Sequence, residues 1–260
     1  MNTYTKETLI AKLKEIRELG FIPSARPGND GSVGNTLEDL LGIQENNLPI
    51  PNAAEWELKT QRIGTTSLTT LFHLEPSPRA MKLVAGILLP KYSWRHKEAG
   101  KKYQETERSF RQTIHGLSRS DRGFKVAVND EERKILISFD AEAVAKRHYA
   151  WLKEIEVSTG LNELSPQPYW GFDDLFHKAG TKLLNCFFVQ AKVIRKQGQE
   201  SYHYEKIQML KGFNIEKFVQ GIREGYVLVD FDARTGHNHG THFRLRRNRL
   251  PDLYESAEEI

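Results

Sequence analysis

Apolar residues recur at helical spacing in several segments of the chain. Leu9, Leu13 and Ile16 predict a first helix over 5–19, with Thr5 as its N-cap and Gly20 ending it. A loop follows over 23–31, and then a short helix capped by Asn35 or Thr36 and ended by Gly42. Two further helices are predicted over 141–155 and 215–222.

Alternation of polar and apolar residues predicts a strand over 55–60. Further strands are predicted over 67–73, 202–210, 226–231 and 242–246, the last strand of the chain. A hairpin is predicted from 124–128 and 134–139, with Asp130 at its tip. The nearly continuous apolar run 183–194 is typical of a central strand that is buried on both faces. The pattern therefore predicts a mixed α/β fold with helices packed around a central sheet.

Composition limits the class of protein. With 260 residues and 38% hydrophobic residues, the chain can form one large domain or a two-lobed unit. No apolar run approaches the roughly 20 residues that span a bilayer, and the first 20 residues lack the core of a signal peptide. The single cysteine, Cys186, lies in an apolar run, so we expect a buried thiol in a reducing cytoplasm.

The charge distribution permits a polyanionic partner without requiring one. The formal net charge is +4 and the isoelectric point is about 9.0. Basic residues cluster in two places, at Arg244–Arg249 and from Lys91 to Arg111, where Tyr92, Trp94 and Tyr103 are interspersed. Such clusters fit either a surface for DNA phosphates or an ordinary solvated face.

The segment Glu55-Trp56-Glu57-Leu58-Lys59 carries the most specific chemistry. Residues two apart on a strand share a face, so Glu55, Glu57 and Lys59 point one way. Carboxylates hold Mg²⁺ against a phosphate oxygen, and a lysine near the attacking water stabilises developing charge. Glu38, on the preceding helix, is a further carboxylate. This arrangement suits hydrolysis of a phosphodiester bond.

Taken alone, this short motif is weak, because Glu57 and Lys59 also fit a solvated charge pair. A similar triplet, Glu132-Arg133-Lys134, lies at the predicted hairpin tip, where no wall would hold a metal. The cluster His237-Asn238-His239 with His242 suggests a zinc or HNH site. We favour loop histidines instead, because neither the following helix nor nearby cysteines are present.

Several separated motifs occur in a fixed order along the chain. They are Gly31-Ser32-Val33-Gly34-Asn35-Thr36-Leu37-Glu38-Asp39-Leu40-Leu41, Gln44-Glu45-Asn46-Asn47, Glu57-Leu58-Lys59, Ser67-Leu68-Thr69-Thr70-Leu71-Phe72-His73, Tyr169-Trp170-Gly171-Phe172-Asp173-Asp174-Leu175, Val229-Asp230, and His237-Asn238-His239-Gly240-Thr241-His242-Phe243-Arg244. In this order they resemble the MvaI/BcnI restriction endonuclease family, which belongs with the MutH mismatch-repair nuclease in the PD-(D/E)XK superfamily. The resemblance extends from the first helix to about Leu253.

The resemblance implies a catalytic role for Glu57, Lys59 and Glu38, and it places the family's metal-binding aspartate at Asn52. An amide is a poorer Mg²⁺ ligand than a carboxylate. Three explanations are open: an introduced Asp→Asn substitution, a native Asn52 assisted by Glu55 or Glu38, or a chain that binds DNA without cutting it. The third ranks lower, since Glu57, Lys59 and Glu38 are all in place.

Residues that contact DNA are also implied by the resemblance. His73 matches a base-contacting histidine, and further matches lie on or near the recognition loops. With their neighbours, the candidates are His73, Asp230, His237, Asn238, His239, Arg244 and Arg246. Their chemistry is suitable, because arginine bonds guanine in a bidentate manner and aspartate accepts from cytosine.

The resemblance thus implies a two-lobed PD-(D/E)XK fold of the MutH type, with a catalytic lobe mainly in 1–160 and a recognition lobe mainly in 161–260, and with strands shared between the lobes. It implies Mg²⁺-dependent, or Mn²⁺-dependent, cleavage of specific sites in double-stranded DNA that leaves a 5′-phosphate. It further implies a monomer with a cognate methyltransferase. A MutH-like repair nicking enzyme, a non-cleaving DNA-binding module and a protein unrelated to DNA remain alternatives. Salt-dependent binding to duplex DNA would exclude the last.

Overall fold

The computed structural model describes residues 4–29, 31–43 and 55–260. The α-helices are α1 Lys6–Glu18, α2 Ser32–Leu41, α3 Leu89–Tyr92, α4 Tyr149–Ser158, α5 Phe172–Leu183 and α6 Ile215–Arg223. The strands are β1 Ile22–Pro23, β2 Trp56–Arg62, β3 Thr69–His73, β4 Trp94–Arg95, β5 Arg108–Ile114, β6 Arg122–Asn129, β7 Lys134–Val144, β8 Tyr169–Gly171, β9 Asn185–Lys196, β10 Gln199–Phe213, β11 Val227–Arg234, β12 His237–Leu245 and β13 Tyr254–Glu259.

The first two helices show how local sequence sets helix ends. Thr5 caps α1 by accepting from the backbone N–H of Thr8, as predicted. Helix α2 ends at Gly42, whose φ of 65° is the left-handed conformation that glycine adopts without strain. The predicted N-caps of α2 were wrong. The carbonyl of Gly31 already accepts from the N–H groups of Gly34 and Asn35, so the helix begins at Ser32.

The predicted helix over 141–155 was wrong in its first half. Strand β7 continues to Val144, which pairs with Arg122 of β6, and α4 begins only at Tyr149. The strand ladder outweighs the helix propensity of the alanine and glutamate residues there. The C-terminal prediction was too short, because β12 begins at His237 and β13 follows it.

One compact unit comprises 1–69, 177–214 and 247–260. Its sheet has the order β1-β10-β9-β2, and β13 also pairs with β10. Strand β9 lies between β10 and β2, which confirms the predicted central strand. One face of the sheet packs on α1 and α2 through a buried core that includes Leu13, Leu37, Leu58 and Phe187. This packing fixes β2, the strand of the Glu57–Lys59 motif.

The other compact unit comprises 70–176 and 215–246. Strand β3, which runs into it from Thr69, belongs to a five-stranded sheet of order β3-β12-β11-β5-β4, and β6-β7-β8 form a second sheet. Buried aromatic rings fill its core: Phe110 lies 5.3 Å from both Phe124 and Phe231 between ring centroids, and Trp170 lies 5.1 Å from Phe243. The contacts of Phe110 with Phe124 and of Trp170 with Phe243 join strands of the five-stranded sheet to strands of the β6-β7-β8 sheet, so they help to hold the two sheets together.

Both units draw strands from both halves of the chain. Strands β9, β10 and β13 come from the second half of the chain but share a sheet with β2. Strands β4 and β5 come from the first half but share a sheet with β11 and β12. Hydrogen bonds between strands distant in sequence therefore decide which residues form each unit.

Candidate active site

Strand β2 places Glu57 and Lys59 on one face of its sheet, as the alternation predicted. The Lys59 Nζ lies 2.9 Å from Glu57 Oε1. Glu57 is 2% exposed, whereas the Lys59 side chain is 16% exposed. The pair therefore has a buried anion and a cation that reaches the surface. This arrangement differs from the solvated charge pair that was the alternative interpretation.

A second cation lies beside the same carboxylate. Lys182, in the last turn of α5, has its Nζ 3.8 Å from Glu57 Oε1. A buried carboxylate without compensating charge costs several kcal/mol, so it is retained only where cations or hydrogen bonds offset that cost. Lys59 and Lys182 together provide this compensation at one oxygen.

The other carboxylate oxygen, Glu57 Oε2, is buried and has no hydrogen-bond partner among the residues described. A divalent cation suits such an oxygen, and Mg²⁺ commonly takes only one or two carboxylates while water and substrate phosphates complete its coordination. Within the described ranges, no group of three or more His, Cys, Asp or Glu side chains is placed to hold a metal. Glu57 can therefore supply one buried oxygen to such a cation, with water and substrate phosphates among its other ligands.

Next to Glu57 in the sheet lies Cys186, which is paired with it across β2 and β9. Burial raises the pKa of the Cys186 thiol far above its usual range, and the charge of Glu57 raises it further. Burial likewise raises the pKa of the neighbouring Tyr254 phenol. Both groups are therefore neutral near pH 7 and supply no nucleophile. The expectation that Cys186 is a buried thiol is confirmed.

A hydrogen-bond network continues from Lys59 along the same face of β2. Gln61 donates through Nε2 to Thr69 Oγ1 (3.0 Å) and accepts at Oε1 from the N–H of Asn248 (3.2 Å). The side chain of Asn248 accepts in turn from Gln190 Nε2 at 2.8 Å. Gln61 and Gln190 are register partners. These bonds hold the strand that carries the motif.

The remaining candidates for the catalytic unit are placed less centrally. Glu38 is half-buried on α2. Glu55 is exposed and precedes β2, where it lines a hollow with Tyr4 and Trp56. Asn52 lies outside the described residues, as does the motif 44–47. The metal roles of Glu55 and Asn52, and the role of Glu38, remain predictions.

In the second unit, one face of the sheet β3-β12-β11-β5-β4 carries polar candidates. Asp230 on β11 pairs with Arg244 on β12, with 2.8 Å between Arg244 Nε and Asp230 Oδ2. Thr113 on β5 also donates to Asp230 Oδ1 at 2.6 Å. A second ion pair joins Arg111 on β5 to Asp232 on β11, with 2.9 Å between Arg111 Nε and Asp232 Oδ1. The face thus presents arginines whose direction is set by acidic neighbours.

His73 lies on the same sheet, and its ring contacts that of His242, with 3.9 Å between centroids. Burial lowers the pKa of His242, and the charge of Arg244 lowers it further. The His242 imidazole is therefore neutral near pH 7. Glu75 accepts at Oε1 from the N–H of Thr241 (2.9 Å), which ties the end of β3 to β12.

His237, Asn238 and His239 are exposed at the start of β12, directly after the turn that follows β11. The rings of His237 and His239 contact each other with 4.1 Å between centroids, and Asn238 Oδ1 accepts from the N–H of Gly240. Arg246 lies beyond the end of β12 and donates through Nε to the carbonyl of Gly225 at 2.8 Å. Arg246 is thus exposed like the tip, but its Nε is held by the turn at Gly225.

A family model matches residues 10–254, which is most of the chain. The chain belongs to the MvaI/BcnI restriction endonuclease family. This family member is accordingly a restriction-type DNA endonuclease, as the motifs predicted. No curated protein matches the chain.

Two solved structures share the fold of this MvaI/BcnI family member. The complex of restriction endonuclease MvaI with its cognate DNA substrate matches with a TM-score of 0.76 and 20% identity over 99% of both chains. Restriction endonuclease MvaI in the absence of DNA matches with a TM-score of 0.54 and 21% identity over 100% of both chains. These likenesses confirm the predicted restriction-endonuclease-like fold.

The structure distinguishes the Glu57–Lys59 motif from the two alternative motifs, the Glu132–Lys134 triplet and the histidine cluster. Glu132 and Lys134 form an exposed pair at the β6–β7 hairpin (2.6 Å), and Asp130 pairs with Arg223. His242 contacts His73, whereas His237 contacts His239, so the histidines that suggested zinc are divided between two places. Within the described ranges, no helix has the length and apolar character to cross a bilayer.

Sequence reasoning missed Lys182, Gln61, Gln190 and Asn248. Gln61 carried a usable signal, because it continues the alternation of Glu57 and Lys59 on the same strand. Lys182 and Asn248 carried none. They are more than 100 residues from β2 in the sequence, and only the tertiary structure brings them to this face.

Proposed function

We propose that this chain hydrolyses phosphodiester bonds at specific sites in double-stranded DNA with Mg²⁺ and leaves a 5′-phosphate. The observation that carries the proposal is the buried Glu57, which has Lys59 at 2.9 Å from one oxygen and no partner among the described residues at the other. A buried carboxylate with an unused oxygen beside a surface-reaching lysine suits metal-assisted phosphoryl chemistry better than it suits packing.

In this proposal, Glu57 holds the metal through Oε2, and Asn52 or Glu55 completes the protein ligands. When bound, Mg²⁺ polarises the phosphate and lowers the pKa of a water molecule. Lys59 orients the attacking water and stabilises the charge that develops on phosphate oxygens. Glu57 holds the Lys59 ammonium in place, because its buried carboxylate forms an ion pair with the partly exposed lysine side chain.

Sequence recognition is assigned to the second unit. Its polar face presents His73, Asp230 and Arg244, and its β11–β12 turn presents His237 to His239. Arginine and histidine donors suit guanine, and Asp230 suits a cytosine amino group. We further propose that the chain acts as a monomer alongside a cognate methyltransferase that protects the same site.

The test is cleavage of a panel of plasmid and phage DNA with Mg²⁺ or Mn²⁺. The chain is compared with Lys59→Ala, Glu57→Gln and Asn52→Asp. We expect discrete fragments from the unaltered chain, with rates about 100- to 1000-fold lower in Lys59→Ala, as for loss of other transition-state donors. Ligation of the fragments without prior phosphorylation checks for the 5′-phosphate.

Asn52 gives a second candidate, a DNA-binding module that does not cut, because an amide replaces the family's aspartate. Fragments from Asn52→Asp alone would mean that Asn52 silences the chain. If neither chain cuts DNA that both bind tightly, the endonuclease proposal fails and the binding module stands.

A further inference from the structure

The segment Arg95–Glu107, here called the basic loop, connects β4 to β5 in the second unit and is held in a defined conformation. His96 donates its backbone N–H to the carbonyl of Glu107 (2.8 Å), which closes the loop. Inside it, the N–H groups of Lys101, Lys102 and Tyr103 converge on the carbonyl of Glu98. The loop is thus ordered before any partner binds, which lowers the entropic cost of binding.

Its charges are unevenly compensated. Arg95 pairs with Glu105 at 2.5 Å, and Glu107 pairs with Arg234 at 3.0 Å. The other basic side chains of the loop are exposed, and they form no ion pair with any residue in the described part of the chain; they are Lys97, Lys101 and Lys102. One carboxylate, Glu98, remains against three lysines, so the loop presents net positive charge to solvent.

The basic loop is joined to the turn that carries the proposed recognition residues. Arg234, the last residue of β11, pairs with Glu107 and lies 4.6 Å from the centroid of the Tyr103 ring. The backbone N–H of Thr235 donates to the carbonyl of Arg108 at 3.0 Å. In return, the backbone N–H of Arg108 donates to the Thr235 hydroxyl, also at 3.0 Å. His237 follows two residues later. The lysines and the recognition turn therefore lie on one connected piece of structure.

We propose that Lys97, Lys101 and Lys102 bind phosphates of the DNA backbone outside the base pairs that the β11–β12 turn reads. The proposal rests on the proposed function, and it adds a contact surface to it. Ordinary solvated lysines would not require a loop that is closed on itself by His96 and Glu107 and joined to the recognition turn through Tyr103 and Glu107. Lysine is a mobile point charge that binds phosphate without reading sequence, so these contacts would position the protein on the duplex.

The test measures affinity for a fluorescein-labelled 30-base-pair duplex of mixed sequence, in EDTA, at several NaCl concentrations. The chain is compared with a triple variant, Lys97→Gln, Lys101→Gln and Lys102→Gln. The slope of log affinity against log salt is negative, and each lost phosphate contact reduces its magnitude by about 0.9. The triple variant should therefore lose about 2.7 from the slope, which amounts to a roughly 40-fold smaller affinity loss when salt rises fourfold.

Two control proteins isolate the effect. The first replaces Lys14, Lys196 and Lys211 with glutamine; these are exposed lysines of the other unit that form no ion pair with the residues described. It has the same net charge as the test variant and should keep the original slope. The second replaces Lys97, Lys101 and Lys102 with arginine, which retains the charge and should also keep the slope.

The outcomes separate the two proposals. If the unaltered chain shows a steep salt dependence and the Lys→Gln triple variant shows the same slope, the basic loop does not bind DNA, although the proposed function stands. Equal losses of slope in the triple variant and the Lys14, Lys196, Lys211 control would also overturn the loop proposal, because net charge alone would explain them. If the unaltered chain binds no duplex DNA, both proposals fail.

Discussion

Glu57 is 2% exposed, and burying a carboxylate this deeply is costly unless cations or hydrogen bonds offset the lost hydration. Lys59 approaches to 2.9 Å and Lys182 to 3.8 Å, and both approach the same oxygen. Lys59 lies beside Glu57 because the two residues alternate on β2. Lys182 lies there because α5 packs close to this strand. Their effects on a metal at the other oxygen should therefore be separable.

Replacing Lys182 with methionine should strengthen metal binding at Glu57. Lys182 and a divalent cation both draw on the charge of the same carboxylate, and the lysine side chain is 24% exposed, so solvent screens much of the effect. We expect the Mg²⁺ concentration for half-maximal cleavage to fall by about 3- to 10-fold, on the scale of roughly 1 kcal/mol. Initial cleavage rates across a Mg²⁺ series measure it.

Lys178 provides the control, since it lies one turn earlier on α5 and forms no ion pair with the residues described. Lys178→Met and Lys182→Arg should both keep the original Mg²⁺ dependence. A higher Mg²⁺ requirement in Lys182→Met would show that Lys182 supports the metal site rather than competing with it. Direct titration of Mn²⁺ without DNA distinguishes an effect on the metal from an effect on the substrate.

At the level of elements, helix α6 has no room for a side chain at Gly221, which faces the side chains of Tyr226 and Val227 at the start of β11. A Cβ on Gly221 would lie 2.6 Å from Tyr226 Cε2 and 2.7 Å from Val227 Cγ2. Gly180 of α5 is also a helical glycine, but a Cβ there would meet nothing within 4 Å. The two glycines have the same backbone conformation and different surroundings.

The two alanine variants should therefore shift stability in opposite directions. Gly221→Ala should lower the free energy of unfolding by about 1–3 kcal/mol, because the aromatic ring and the valine must move. Gly180→Ala should raise it by up to about 1 kcal/mol, because alanine favours the helix and restricts the unfolded chain. Urea unfolding followed by circular dichroism measures both. Losses of similar size would show that close packing at Gly221 is not the cause.

At the scale of the molecule, each unit depends on segments that are far apart in the sequence. The C-terminal segment 247–260 belongs to the unit that carries Glu57. Leu253 is fully buried there, and the backbone N–H of Asn214 donates to its carbonyl at 2.9 Å. Strand β13 then pairs with β10. The last residues of the chain thus complete the sheet of the candidate active site.

Shortening the Leu253 side chain should consequently destabilise the protein as strongly as a substitution in the core of a domain. We expect Leu253→Ala to lower the free energy of unfolding by about 2–5 kcal/mol, through lost burial and the cavity left behind. Glu258→Ala, an exposed change on the same segment, should stay within about 0.5 kcal/mol. Equal and small effects in denaturant unfolding would mean that the segment only lies against the unit without stabilising it.

The sequence alone determined the local and ordered features of this protein. Alternation placed Glu57 and Lys59 on one face of a strand, helical spacing located α1 and α6, and the order of motifs identified the family. These signals succeed because strand and helix periodicities are properties of neighbouring residues. Family membership likewise depends on residues in sequence order.

Only the tertiary structure decided which distant residues meet. It brought Lys182 and Cys186 to Glu57, joined Asn248 to Gln61, and assembled each unit from separated segments. It also kept 141–144 in β7 although the local composition favours a helix. The physical reason is the same in each case. Sheet pairing and core packing are long-range, so their energies depend on the whole chain and override local preference.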